Sequence, residues 1–128
     1  MFLSFDGVDG VGKSPQIGLL ADALQKRGQR VVTCRDPGST PLGEELRKLL
    51  LEHHGKAIHR RAEMLLYMSA RAQLVEEVVR PALAAEHVVI SDRYLLANVV
   101  YQGHAGGLPV DDLWRIGEPA QPAEDLAA

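Results

Sequence analysis

Three short apolar runs alternate along the chain with longer segments whose apolar residues recur at helical spacing. Phe2-Leu3-Ser4-Phe5, Arg30-Val31-Val32-Thr33-Cys34 and Val88-Val89-Ile90-Ser91-Asp92 are the short runs, and their length and β-rich composition predict strands. Between the first two, Ile17, Leu19, Leu20, Ala23 and Leu24 recur with near-helical spacing up to Gly28, a residue suited to closing a helix. Asp36-Pro37-Gly38-Ser39 reads as a turn. A second amphipathic helix is predicted from Pro41 to Leu51, with Leu42, Leu46, Leu49 and Leu50 on one side. After a connector from His53 to His59, a long helix begins near Arg60 and carries Met64, Leu65, Met68, Ala72, Val75 and Val79; Pro81 is expected to kink or restart it. A strand, a crossover helix and a strand predict a parallel sheet, hence an α/β fold. Beyond the third strand the pattern predicts a helix to Tyr101, a loop rich in glycine (Gly103, Gly106, Gly107) and a short helix from Val110 to Ile116. From Gly117 the chain turns to Pro, Ala and Glu without apolar periodicity. One organised domain over 1–117 and a disordered tail over 118–128 are therefore expected.

Composition narrows the class of partner. The chain has 128 residues, enough for one domain with a real core, and is 46% hydrophobic and 24% charged. Its 14 basic residues are outnumbered by 17 acidic ones and form no block, which argues against a nucleic-acid surface. No stretch approaches 18 uninterrupted apolar residues and no basic leader precedes the first strand, so neither a membrane span nor an export signal is expected, and the expected location is cytoplasmic. Cys34 is the sole cysteine, expected as a buried structural thiol. His53, His54 and His59 lack a carboxylate or cysteine partner at ligand spacing, so no metal site is assigned to them. Glu76-Glu77 and Arg60-Arg61 are expected at the surface.

The most specific chemistry lies directly after the first run. Gly7-Val8-Asp9-Gly10-Val11-Gly12-Lys13-Ser14 is a full GxxxxGK[ST] pattern between a strand and a helix. Glycines permit a tight turn, and successive N–H groups converge where a helix N-terminus already favours negative charge. These eight residues are candidates to hold the phosphates of ATP, with Lys13 reaching the β- and γ-phosphates and Ser14 on Mg²⁺. Asp92 closes an apolar strand, where the second magnesium-shell carboxylate of such proteins lies.

The loop alone does not choose among nucleotide-handling proteins. Four further patterns, in order along the chain, resemble the thymidylate kinase family: Phe5-Asp6-Gly7-Val8-Asp9-Gly10, Arg35-Asp36-Pro37-Gly38-Ser39-Thr40-Pro41-Leu42-Gly43, Ala70-Arg71-Ala72-Gln73, and Asp92-Arg93-Tyr94 followed by Tyr101-Gln102-Gly103. The resemblance implies a P-loop NTPase fold of the nucleoside monophosphate kinase kind, three-layered around a parallel sheet, and transfer of a phosphoryl group from ATP to dTMP with Mg²⁺. It implies that Arg93 bridges the acceptor phosphate and the transferred group, that Lys13 offsets donor charge, and that Ser14 and Asp92 hold the metal directly or through water. On the acceptor side it implies Asp9 at the sugar 3′-hydroxyl, Tyr67 stacked on the base, Arg71 hydrogen-bonded to it, and Tyr101 against the 2′ position. Asn98, Gln102, Asp36 and Arg47 match polar and charged positions near the same nucleotide. A homodimer, and no nucleic-acid or membrane partner, complete what the family implies.

Two departures set the remaining alternatives. Pro15 stands where the family usually has Thr and removes an N–H that faces the phosphates, so weak ATP binding is expected. The resemblance also implies that this chain lacks the family's last strands and its lid. In relatives without an arginine in the phosphate loop the lid supplies one, so reduced activity and a tendency to associate are expected. A noncatalytic nucleotide-binding remnant or gene fragment is thus the first alternative, and another P-loop (deoxy)nucleoside or nucleotide kinase the second.

Overall fold

The computed structural model describes residues 1–6, 12–52 and 55–93, and there the three apolar runs form strands β1 (Phe2–Phe5), β2 (Val31–Arg35) and β3 (Val88–Asp92). All pair in parallel in the order β1-β3-β2, so β3 is central. That position explains its unbroken apolar character, because a parallel strand covered on both faces has no wet side to mark with polar residues. Phe5, Asp92 and Arg35 stand abreast at the carboxyl ends of the three strands.

Side chains alternate across the sheet and meet a helix layer on each face. On one face Val88 and Ile90 pack with Leu3, Phe5 and Val31 against Ile17, Ala21, Leu20 and Leu24 of α1 (Lys13–Lys26). On the other, Cys34 and Val89 pack with Phe2 and Val32 against Leu74, Val79 and Ala82. These belong to a helical run composed of α3 (Arg60–Leu74), a π-helical turn (Val75–Val79) and α4 (Arg80–Ala84). The helix α2 (Pro41–Leu51) lies against α3. The result is a three-layer α/β fold around a parallel sheet, as expected.

Several boundaries and faces differ from the expectation for identifiable reasons. The second strand runs one residue later than Arg30–Cys34, because the long third strand continues to pair as far as Arg35 opposite Asp92. The first helix closes through Gly28 in the left-handed region (φ 83°), with Gly28 N–H donating to Gln25 O and Gln29 N–H to Leu24 O. Those two bonds form a Schellman closure, which needs a residue tolerant of positive φ. Leu19, expected in the core, is 64% exposed, and Ala21 takes the core position beside Ile17. On α2, Leu42 is likewise exposed. On α3, Leu65 and Ala72 face outward, while the buried stripe runs Met64, Met68, Arg71, Val75. A charged side chain occupies one position of that stripe, which apolar periodicity cannot register. As expected, the helical run restarts at Pro81, which lies in the first turn of α4 directly after the π-helical turn. Backbone angles stay helical from Leu74 to Arg80, and Arg80 N–H donates five residues back to Val75 O. The widened turn relieves the clash a proline ring makes with the carbonyl four residues earlier.

The expected elements after Arg93, the tail, residues 7–11 of the phosphate loop, and His53 and His54 lie outside the described residues. His59 caps α3, its Nδ1 accepting from Arg61 N–H at 3.3 Å. Among the described residues no helix is long and apolar enough to cross a membrane.

Candidate active site

The carboxyl ends of the strands and the start of α1 converge on one region. Gly12 enters α1 with φ 85° and supplies no side-chain cap, so the first N–H groups of the helix are not taken by a capping side chain. A helix start of this kind favours an anion. Lys13 and Ser14 are its first two residues and Pro15 its third. At that position a proline costs the helix nothing, since its N–H would have had no intrahelical acceptor.

From the central strand Asp92 points to the same place. Its Oδ1 is buried and accepts no hydrogen bond, and the Lys13 ammonium stands 4.0 Å from it. Asp92 and Ser14 share a cleft of about 290 Å³ with Ile17, Thr33, Cys34, Arg35 and Ser39. An orphaned buried carboxylate oxygen beside a hydroxyl is a hard-oxygen donor set, which suits Mg²⁺ completed by waters and phosphate oxygens. Among the described residues no group of three His, Cys, Asp or Glu could cage a metal by itself.

On the other face of the sheet a charged pair is fully enclosed. Arg71 Nε donates to Asp36 Oδ2 at 2.5 Å and Nη2 pairs with the same oxygen, with both side chains about 1% exposed. Arg71 Nη1 lies 3.8 Å from Met68 Sδ. Asp36 Oδ1 is buried without a hydrogen-bond partner. Burial pushes the Asp36 carboxyl above its ordinary value, opposed by the Arg71 guanidinium and reinforced by Asp6. Asp36 opens a turn whose Asp36-Pro37 bond is cis, and Arg47 Nη1 donates to Pro37 O at 2.8 Å.

Tyr67 ties these groups to the catalytic candidate Arg93. The phenol is half-buried, and burial followed by the Glu63 carboxylate pushes its pKa up, while Arg47 and Arg93 oppose and Asp36 adds to the rise. Arg93 itself is held in the left-handed region at φ 69°. Its N–H donates to Phe5 O at 2.9 Å, and the buried Ser91 hydroxyl donates to its carbonyl at 2.8 Å. A non-glycine residue in that region stores strain that the surroundings must hold, which is common where a side chain has to be aimed.

The structure thus brings Lys13, Ser14 and Asp92 together at the sheet's end, and Asp36, Arg47 and Arg71 at the Asp36–Ser39 turn, with Tyr67 on α3 one turn before Arg71 and Arg93 directly after β3. Gly7, Val8, Asp9, Gly10, Val11, Asn98, Tyr101 and Gln102 lie outside the described residues. Two nitrogens of Arg71 are committed to Asp36. Sequence reading passed over Arg35, Ser39, Glu44 and Ser91, which line or brace the site. For Glu44 a signal existed: an acid in the first turn of α2, five residues past the turn serine.

Cys34 is buried as expected. Burial pushes its thiol up to about 11, with the Ser91 hydroxyl opposing and Asp36 adding to the rise. At pH 8 only about 10⁻³ of the thiol is then ionised, so the folded chain is expected to react slowly with a disulfide reagent and at an ordinary rate once unfolded. Fast labelling of the folded chain at pH 8 would contradict this.

Comparison with known proteins gives one consistent result. The family model described as thymidylate kinase matches residues 5–127. The thymidylate kinase of Rhodopirellula baltica is 48% identical over 118 residues, which is 92% of this chain and 48% of that protein. That of Symbiobacterium thermophilum is 46% identical over 120 residues, 94% of this chain and 56% of the relative. Among solved structures, the crystal structure of thymidylate kinase from Ehrlichia chaffeensis superposes with a TM-score of 0.87 at 31% identity, covering 94% of this chain and 69% of that one. The chain spans about half the length of the curated relatives it matches. With a parallel α/β core among its described residues and a family model matching nearly its whole length, this chain belongs to the thymidylate kinase family.

Proposed function

We propose that this chain carries the phosphate-transfer core of a dTMP kinase, moving the terminal phosphoryl group of ATP to dTMP and yielding ADP and dTDP. The observation that carries the reading lies at the sheet's end, where Asp92 Oδ1, buried and without a hydrogen bond, stands 4.0 Å from Lys13 at the start of α1. This arrangement suits a triphosphate with its metal, and the family match supports dTMP as the acceptor.

In such a transfer an oxygen of the acceptor phosphate forms a bond to the terminal phosphorus while the bond to the ADP oxygen breaks. Little covalent work falls to the protein, so positioning and charge supply most of the rate. Lys13 and the opening N–H groups of α1 hold the donor phosphates, and Arg93 offers a planar fork to charge shared between donor and acceptor. Tyr67 and Arg71 line the acceptor's base, with Asp36 fixing the guanidinium plane of Arg71. Ser14 and Asp92 would hold Mg²⁺, which supplies charge neutralisation between the phosphate oxygens.

A coupled assay of ADP release with dTMP, with dUMP and with no acceptor tests this reading. Turnover that depends on dTMP supports it. Release that is absent at every protein concentration, or independent of acceptor, favours the noncatalytic alternative, and a nucleoside outperforming dTMP favours a different kinase. The same reading carries a homodimer, which sedimentation equilibrium of the full chain checks.

Pro15 gives a graded prediction on the donor side. Its missing N–H removes one of the donors at the start of α1, and a hydrogen bond to a charged oxygen is worth about 1.5 to 3 kcal/mol. Pro15→Thr is therefore expected to tighten ATP binding by about one to two decades in titration calorimetry. Equal affinities for the two chains would show that the position does not face the phosphates.

A further inference from the structure

We propose that Glu44 is a positioning residue for the acceptor side of the site, clamping the Asp36–Ser39 turn so that Asp36 meets Arg71; this rests on the kinase reading above. Both oxygens of its carboxylate are used. Oε1 accepts from Ser39 N–H at 2.8 Å, and Oε2 accepts from Arg35 Nη2 at 2.9 Å. Arg35 N–H in turn donates to Ser39 Oγ at 2.8 Å, so the turn's two ends are joined to each other and to one carboxylate.

The turn has a shape that needs such a clamp. Ser39 lies at φ 63° and Gly38 at φ 136°, consecutive residues outside the ordinary region. A Cβ at Gly38 would stand 2.7 Å from Glu44 Oε1 and 3.1 Å from Arg35 Nε, and one at Gly43 would stand 2.8 Å from both Gly38 O and Thr40 Oγ1. The turn and the start of α2 are therefore in direct contact, with Thr40 Oγ1 accepting from Gly43 N–H at 2.8 Å to begin the helix. Three residues along α2 from Glu44, Arg47 reaches Pro37 O on the same turn. One side of α2 thus grips the turn at Pro37, Ser39 and Arg35.

Glu44 donates to or accepts from neither Arg71 nor Asp36 in this network, so its effect on them is transmitted through the backbone of the turn. The hydrogen bond from Ser39, then that from Arg35, holds its carboxyl below the usual carboxylate range, which keeps the clamp charged and closed at neutral pH.

The test compares the full chain with Glu44→Ala and Glu44→Gln by three measurements: dTMP titration, ADP titration, and hydrogen exchange at the Ser39 amide. Alanine is expected to weaken dTMP about tenfold or more, to weaken ADP by a clearly smaller factor, and to speed Ser39 exchange, because a charge-assisted acceptor is lost. Glutamine keeps an acceptor for Ser39 and is expected to recover part of the dTMP affinity and most of the protection. Equal losses for dTMP and ADP, unchanged Ser39 exchange in the alanine variant, or no recovery with glutamine overturn the positioning role. Absence of dTMP binding by the parent chain overturns the acceptor reading and the role with it, and is recognised before any variant is compared.

Discussion

Arg93→Ala is expected to lower dTMP-dependent ADP release by about 10³-fold or more while leaving ADP affinity within about twofold, the pattern of an interaction made chiefly in the transition state. The expectation rests on what the chain supplies near the transferring group. The phosphate loop carries no arginine at positions 7–12. Arg93 follows the end of the central strand, one residue past Asp92. Its backbone is held in a costly conformation from both sides, by Phe5 O and by Ser91 Oγ, and a conformation that costs about 1 to 3 kcal/mol persists only where the surroundings fix it. Arg93→Gly separates the two contributions. Glycine accepts φ 69° without strain, so that variant is expected to be at least as stable as the parent and equally slow. Arg93→Lys keeps a charge but loses the planar fork, and recovers only part of the rate. A kcat unchanged in the alanine variant, in the steady-state assay of ADP release, would remove Arg93 from the transfer step.

Arg71→Met is expected to cost about 3 to 5 kcal/mol of folding stability, because it strands the enclosed Asp36 carboxylate without its cation. Domains hold only about 5 to 15 kcal/mol in total, so the variant's urea midpoint should fall by a large fraction of the parent's. Methionine matches the length of the removed stem, and Met68 already sits against it, so little of the loss comes from volume. The pH dependence identifies the cause. Burial raises the Asp36 carboxyl above its ordinary 3.8 in the folded chain. A carboxyl raised on folding binds its proton more tightly in the native state, so its contribution favours folding below the unfolded value and declines as pH rises through the folded one. Without Arg71 the rise is larger, and the destabilisation of Arg71→Met should therefore shrink on acidification from pH 7 to pH 5. The double variant Asp36→Asn with Arg71→Met is expected to recover part of the loss. A midpoint shift of the same size at both pH values would mean that packing, not the stranded charge, sets the cost.

What sequence made legible follows from what local physics encodes. The strand–loop–helix pattern from Phe2 to Lys26 was readable because a GxxxxGK[ST] loop fixes both its neighbours. The α2 limits were readable from Thr40 and Pro41, a capping hydroxyl followed by a residue already set at helical φ. Met64 and Met68, expected on the long helix's apolar side, are buried.

Other features were decided by contacts between distant segments. Which apolar residues of α1 and α3 turn inward depended on the sheet they meet: Ala21 is buried and Leu19 is not, because only the stripe facing β3 is covered. Arg71 reads as a solvated helix charge until Asp36, 35 residues earlier, is folded over it. The widened turn that leads into α4 and Pro81 is announced by no propensity. Asp92 gained its meaning from the strand order, which sets it beside Phe5 and Arg35 at the mouth of the cleft. Sequence by itself determined the described elements, their class and the phosphate-loop pattern that points to the family, since each is written in spacing along the backbone. Only the tertiary structure decided the partners of its buried charges and the clamp on its turn, since a charge's energy depends on what burial removes and on which distant group replaces the lost water.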